Sequence, residues 1–225
     1  RGQRSAGAEA VRQLLVRLAE DRFNLVVLGA FKRGKSSLVN AIVGRPILPT
    51  AVVPLTTVIT RLSYGQPEQA IVRLESNSLR SRIKLSEIAA YVTERENPGN
   101  RKRVASVDIQ LPAAFLRRGL VLVDTPGIGA ADERPAAETY RFLPESDAAI
   151  FVTSVEAPLG ESELLFLDAV RQHVRKIFFV MNKVDQVDAG DLTEIMAFAE
   201  QGLQSHLGAP TLALLPVSAR RGLQA

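Results

Sequence analysis

The chain of 225 residues is 46% hydrophobic and 23% charged, ordinary for a globular protein and enough for one large α/β domain, or one domain with a short appendage. It has no cysteine, which excludes disulfides and cysteine-held metal or redox centres. Its two histidines, His173 and His206, are too few for a histidine metal site and read as surface helix residues. The net charge of +4 and pI of about 9.7 suit a polyanionic partner such as a nucleotide, a lipid head group or RNA.

In chain order, residues 8–20 (AEAVRQLLVRLAE) place Val11, Leu14, Leu15 and Leu18 at helical spacing and predict an amphipathic helix. A strand, NLVVLG, follows, and then a Gly-rich turn opens a helix at 35–43 with Gly44 as its C-cap. The stretch GRPILPTAVVPLTT, with Pro46, Pro49 and Pro54, reads as an extended, irregular loop. Strand-like runs VITRLSY, AIVRLE and VASVDIQL come next. A basic helical insert, KLSEIAAYVTERENPGN, interrupts them, with Ser86 as its expected N-cap and NPGN as its end. From residue 120 strands and helices alternate: LVLVD, DAAIFVTS, a helix at 161–174, KIFFVMN, a helix at 191–206, and TLALLPVS. Strand-length apolar runs alternating with helices predict an α/β fold, a mostly parallel central sheet with helices on both faces. No apolar run approaches the ~20 residues of a membrane-spanning helix. Residue 1 is Arg and no leader is visible, so the sequence is expected to be part of a longer chain.

Gly29-x-x-x-x-Gly34-Lys35-Ser36 has P-loop spacing, and a strand before it and a helix after it are the context that motif needs. Gly29 and Gly34 permit the turn, so that backbone amides from Lys32 to Ser37 and the helix N-terminus face phosphates. Lys35 is expected to reach the β- and γ-phosphates and Ser36 to ligate Mg²⁺. Asp124-Thr125-Pro126-Gly127 follows a strand: Asp124 is placed to hold the metal, usually through water, and the Gly127 amide to sense the γ-phosphate. Asn182-Lys183-Val184-Asp185 reads guanine. The Asp185 carboxylate accepts from the ring N–H and the exocyclic amine, a pair of donors that adenine does not offer. Asn182 braces that loop, the stem of Lys183 lies over the base, and the Ser218-Ala219 turn supplies a backbone N–H to the guanine O6. A Thr from the mobile loop before Asp124 should complete the Mg²⁺ shell. Thr56 is the choice over Thr57, and Thr50 is a weaker option.

Order and spacing of these motifs resemble the regulatory GTPases. Within them the chain resembles the bacterial dynamin-like proteins from about residue 20 to the end. The likeness rests on GAFKRGKSSLVNAIVG, ILPTAVVPLTTVITRLSYG, IAAYVTERENPGN, VASVDIQLPAAFLRRGLVLVDTPGIG and FFVMNKVD. The resemblance implies a GTPase domain over 21–225, with residues 1–20 as part of a helical neck. It implies GTP and GDP with Mg²⁺ as ligands and hydrolysis of GTP. It also implies pairing through the G domain with a copy or a partner, and membrane remodelling at the inner face of a membrane from the cytoplasm, through lipid-binding regions absent from this sequence. An RNA-associated switch of the Era type is the alternative reading, faintly supported by PLTTVITR, and a nucleotide-sensing module with negligible turnover is a third.

One departure bears on mechanism. Ras-type enzymes orient the attacking water with a Gln just past the Asp-x-x-Gly motif, but Ile128 and Gly129 stand there. Lys32 occupies the loop position where dynamins keep a Ser that helps to hold a monovalent cation. An ammonium only donates and cannot coordinate a cation. Lys32, or Arg33 as second choice, is therefore expected to supply positive charge near the bridging oxygen. An equal alternative has both side chains facing solvent or a partner. Two further basic clusters, Arg80, Arg82 and Lys84, and Arg101, Lys102 and Arg103, read as solvated surface. Neither has interleaved aromatics, which argues against nucleic acid.

Overall fold

A computed structural model describes residues 22–50, 56–75, 80–129 and 134–225, so the helix expected at 8–20 lies outside the described residues. Among the described residues nine strands form one sheet: β1 (Phe23–Leu28), β2 (Ile59–Tyr64), β3 (Gln69–Leu74), β4 (Arg80–Ile83), β5 (Val104–Leu111), β6 (Leu120–Asp124), β7 (Ala148–Ser154), β8 (Lys176–Asn182) and β9 (Leu214–Pro216). Their order is β4-β3-β5-β2-β6-β1-β7-β8-β9. From β6 to β9 every pairing is parallel. β2 then pairs antiparallel with β6, placing Thr60 opposite Asp124, and runs parallel with β5. β3 is antiparallel to both β5 and β4.

Alternation along each parallel strand explains the two cores. Val26 and Leu28 of β1, Val123 of β6, Phe151 of β7 and Met181 of β8 join one cluster with Phe142, Phe166, Leu167 and Leu203. The intervening Val27, Leu122, Val152 and Val180 join the other with Leu38, Val39 and Ala219. Both faces of the parallel half are thus covered by helices: α3 (Arg134–Phe142), α4 (Glu161–Arg171) and α5 (Ala189–Leu207) on one, α1 (Lys35–Val43) and the short α6 (Ala219–Gly222) on the other. In β3, buried Ala70 and Val72 alternate with partly exposed Ile71 and exposed Arg73, as in a sheet with one wet face.

The short α2 (Ala89–Val92) follows a 3₁₀ turn at Leu85–Glu87. Ser86 is not its N-cap. The β4 strand runs to Ile83, so Ser86 falls inside the turn, and the Glu87 carboxylate instead accepts from the Lys84 amide at 2.7 Å. Two asparagines organise the end of the insert. Asn97 Nδ2 donates to Tyr91 O, and Asn97 Oδ1 and Asn100 Oδ1 accept from the amides of Lys102 and Val104. His206 lies in α5 against Asp168, and His173 lies in the turn after α4 rather than in a helix.

Candidate nucleotide site

The loop between β1 and α1 is built on backbone that only certain residues tolerate. Gly29 has φ 142°, and a Cβ there would lie 2.2 Å from Val152 O in the neighbouring strand. Gly34 has φ 86°, and a Cβ there would lie 2.4 Å from Asn182 Nδ2. Between them Lys32 has φ 66°, the left-handed region that costs a non-glycine residue on the order of 1 kcal/mol. The loop is pinned to the segment after β6 by Phe31 N donating to Ile128 O at 2.9 Å. Gly127 is held so close that a Cβ would meet Phe31 Cα at 2.8 Å and Lys35 Nζ at 3.0 Å.

Lys35 is buried, and its ammonium donates to the carbonyls of Gly29 and Ala30, each at 3.1 Å. Burial pushes its pKa down to about 8 against the attraction of Asp124. Ser36 Oγ donates to Asp124 Oδ2 at 2.6 Å. Thr56 Oγ1 lies 3.2 Å from Ser36 Oγ and 3.4 Å from the same carboxylate oxygen. Thr57 is turned away, with both its amide and its hydroxyl donating to Val92 O. Thr50 is exposed. Asp124 is 1% exposed, and burial pushes its pKa up to about 6, although Ser36, Lys35 and Thr56 oppose the shift.

The second oxygen of Asp124, Oδ1, is buried with no hydrogen-bond partner among the described residues. No cluster of three or more His, Cys, Asp or Glu side chains that could hold a metal occurs among them. One buried carboxylate with an unsatisfied oxygen, beside two hydroxyls, fits a hard dication that takes one or two carboxylates and completes its shell with phosphate oxygens and water. Ser36, Thr56 and Asp124 are therefore the residues that fit Mg²⁺.

At the far end of the groove Asn182 joins three segments. Its Nδ2 donates to Arg33 O at 3.0 Å, and its Oδ1 accepts from the Ala219 amide at 3.1 Å. Lys183 has φ 64°, and its ammonium pairs with Glu156. Asp185 Oδ1 accepts from Ser218 Oγ at 2.6 Å, and that hydroxyl holds the carboxyl below its usual range. Asp185 is thus ionised at neutral pH, as an acceptor of two guanine N–H groups requires. The Ser218 hydroxyl is a contributor that sequence alone did not reveal, because only the fold brings β9 beside β8.

The two loop cations face opposite ways. Lys32 is exposed, its ammonium 5.4 Å from the centre of the Phe31 ring. Arg33 turns inward: its guanidinium forks onto Glu163 at 3.0 and 2.8 Å and reaches Ser154 Oγ at 3.4 Å. The clusters around Arg80 and Arg101 lie on the antiparallel wing, where Lys102 stacks on Tyr91 at 4.8 Å.

This constellation defines a P-loop GTPase site. A dynamin-family sequence model matches residues 25–184, and the chain belongs to that family. An uncharacterized protein from the xynA 3′ region of Caldicellulosiruptor sp. (strain Rt8B.4) is 39% identical over 208 residues, 92% of this chain and 52% of its own length. The probable transmembrane GTPase FZO-like, chloroplastic, of Arabidopsis thaliana is 33% identical over 92% of this chain and 20% of its own. A solved chain of an oligomerised bacterial dynamin pair matches with a TM-score of 0.73 at 20% identity, over 96% of this chain and 36% of that one. Aquifex aeolicus Era bound to GDP and AlF₄⁻ gives a weaker likeness, a TM-score of 0.53 at 14% identity over 88% of this chain and 52% of that one. The chain thus spans about half or less of the length of these curated relatives, and it constitutes a dynamin-like GTPase domain that binds guanine nucleotide.

Proposed function

We propose that this chain is the G domain of a dynamin-like membrane-remodelling protein, one that hydrolyses GTP faster when two G domains meet across their nucleotides. The observation that carries the pairing is the opposed setting of Ile128 and Lys32. Ile128 is 5% exposed and apolar, so the position after Gly127 cannot orient a water, whereas Lys32 is presented outward from the phosphate loop. A G domain that lacks its own water-orienting side chain needs charge and shape from elsewhere, and a facing domain brings both.

In this reading the amides of loop residues 32–37 cradle the β-phosphate, and Lys35 leaves the carbonyls of Gly29 and Ala30 for the β- and γ-phosphates. Ser36, Thr56 and Asp124 would hold Mg²⁺, which when bound would supply neutralising charge to the phosphates. The Gly127 amide contacts the γ-phosphate, and its close approach to Phe31 and Lys35 leaves no room for a side chain. Asp185 pairs with the guanine edge, and on pairing of two G domains the outward Lys32 turns its charge toward the bridging oxygen.

Membrane action draws support from the bacterial dynamin pair, described as sensing and tethering membranes. Among the described residues no helix is long and apolar enough to cross a bilayer. Turnover measured against protein concentration, with and without anionic liposomes, tests the proposal. Specific activity should climb with concentration. A flat profile under both conditions overturns assembly-stimulated hydrolysis.

A further inference from the structure

Arg33 is an interior residue of the phosphate loop, yet its side chain leaves the loop altogether. Its Nε and Nη2 donate to the two oxygens of Glu163 at 3.0 and 2.8 Å, a bidentate fork. Glu163 lies in the first turn of α4 and its side chain is 1% exposed. Its Oε2 also accepts from the Gly160 amide at 3.1 Å, so the carboxylate is fixed from both sides. A carboxylate this deeply buried persists as an anion only when paired and hydrogen-bonded.

Arg33 is restrained at its backbone too, where its carbonyl accepts from Asn182 Nδ2 at 3.0 Å. Its neighbours Lys32 and Gly34 both adopt positive φ, at 66° and 86°. Gly34 takes this conformation freely, but Lys32, on the other side of the tethered residue, does so at a cost. Such backbone survives only where surrounding contacts over-determine it. The Glu163 fork supplies this from the side-chain end as Asn182 does from the backbone, and it reaches the loop from α4, a helix that carries none of the nucleotide motifs.

We propose that Glu163 is a positioning residue for the nucleotide site: through Arg33 it holds loop 29–34 in the curvature at which its amides meet the phosphates. This rests on the guanine-nucleotide reading of the loop. Arg33 then acts as a tether and not as a second phosphate cation. Because loop amides contact the β-phosphate in GDP and GTP alike, the effect falls on binding of both and not on the chemical step.

The test uses Glu163→Gln, Arg33→Gln and the double variant, with GDP affinity measured by calorimetry, thermal midpoints, and kcat and KM for GTP. Either single change should raise the GDP Kd about tenfold or more, with KM rising in parallel and kcat held within about twofold. The double variant should match the singles, since the pair acts as a unit. Arg33→Lys should not rescue, because an ammonium cannot reproduce the fork. Lowered thermal midpoints with unchanged GDP affinity overturn the inference and leave a plain fold brace. If a single change fails to fold around its unpaired charge, the uncharged double variant decides: raised Kd supports the tether, and wild-type affinity overturns it. An unaltered chain that binds no GDP overturns the nucleotide reading itself. One that binds GDP but is indifferent to all three variants overturns this inference alone.

Discussion

Asp124 and Lys35 are buried charges kept for function, and their pKa values say what that costs. Asp124 titrates near 6 in the fold against 3.8 ordinarily, so its stabilising contribution is present in full below 3.8 and is lost as pH rises through about 6. Lys35, lowered from 10.5 to about 8, contributes in full above 10.5 and loses that contribution as pH falls through about 8. Near neutrality both charges are present and neither contribution is realised. Asp124→Asn, the uncharged isostere, should therefore melt higher than wild type at neutral pH without nucleotide or Mg²⁺. The gap should close as pH falls through about 6 toward 3.8, and thermal melts across that range check it. Lys32→Ala should lower kcat by about tenfold to a hundredfold with KM little changed, and turnover should be the same in potassium as in sodium. Strong potassium dependence would sink the role given to the ammonium. Asp185→Asn exchanges an acceptor for a donor and should weaken GTP binding by about a hundredfold, measured by competition against fluorescent GDP. Xanthosine triphosphate, which carries a carbonyl where guanine has its amine, should recover part of the loss.

At the scale of elements, the β1–loop–α1 unit was legible because each constraint is local: two glycines, a strand run before them and a helix after. Gly29→Ala should cost about 2–4 kcal/mol of stability, since its Cβ would strike the β7 backbone, which cannot swing aside as a side chain can. Denaturant unfolding measures it. Gly34→Ala is strained at φ 86° and strikes the Asn182 amide that ties Arg33 to Ala219, so it should lower both stability and guanine-nucleotide affinity. Elements whose cause is distant were not legible. The β4 strand, four residues with Arg80 and Arg82 exposed, has no apolar alternation of its own and is a strand because β3 offers it an edge. Residues 134–142 carry a Pro near the start and no long apolar run, yet α3 forms with Phe142 buried and Thr139 bonded to Pro126 O. The choice of Thr56 over Thr57 could be guessed from the chain, but only the bond from Thr57 to Val92 supplies the reason. Likewise, that Arg33 turns inward while Lys32 does not depends on a carboxylate 130 residues away in sequence.

For the molecule as a whole, the pattern of buried runs foretold a mostly parallel sheet, and the family likeness follows the same core. The reversal of direction at β2 was not readable from those runs, because a buried strand looks alike in either direction. That reversal has a geometric consequence. Asp124 ends its strand, whereas Thr56 precedes the start of β2. They meet only because β2 runs against β6. In a purely parallel sheet the two would stand a strand apart, about 20 Å for six residues. The wing beyond β2 is thereby led away from the site: the chain departs from Thr56 along β2 and re-enters the parallel half at β6. The far ends of β3 and β4 can lengthen or shorten away from the site, whereas α2 stays tied to it through Val92, which holds Thr57 beside Thr56. Lengthening the connection between β3 and β4 while keeping Val92 and the insert should leave GDP affinity within about threefold of the parent, so the rim of this wing is the natural place for such proteins to differ in partners while sharing one nucleotide site.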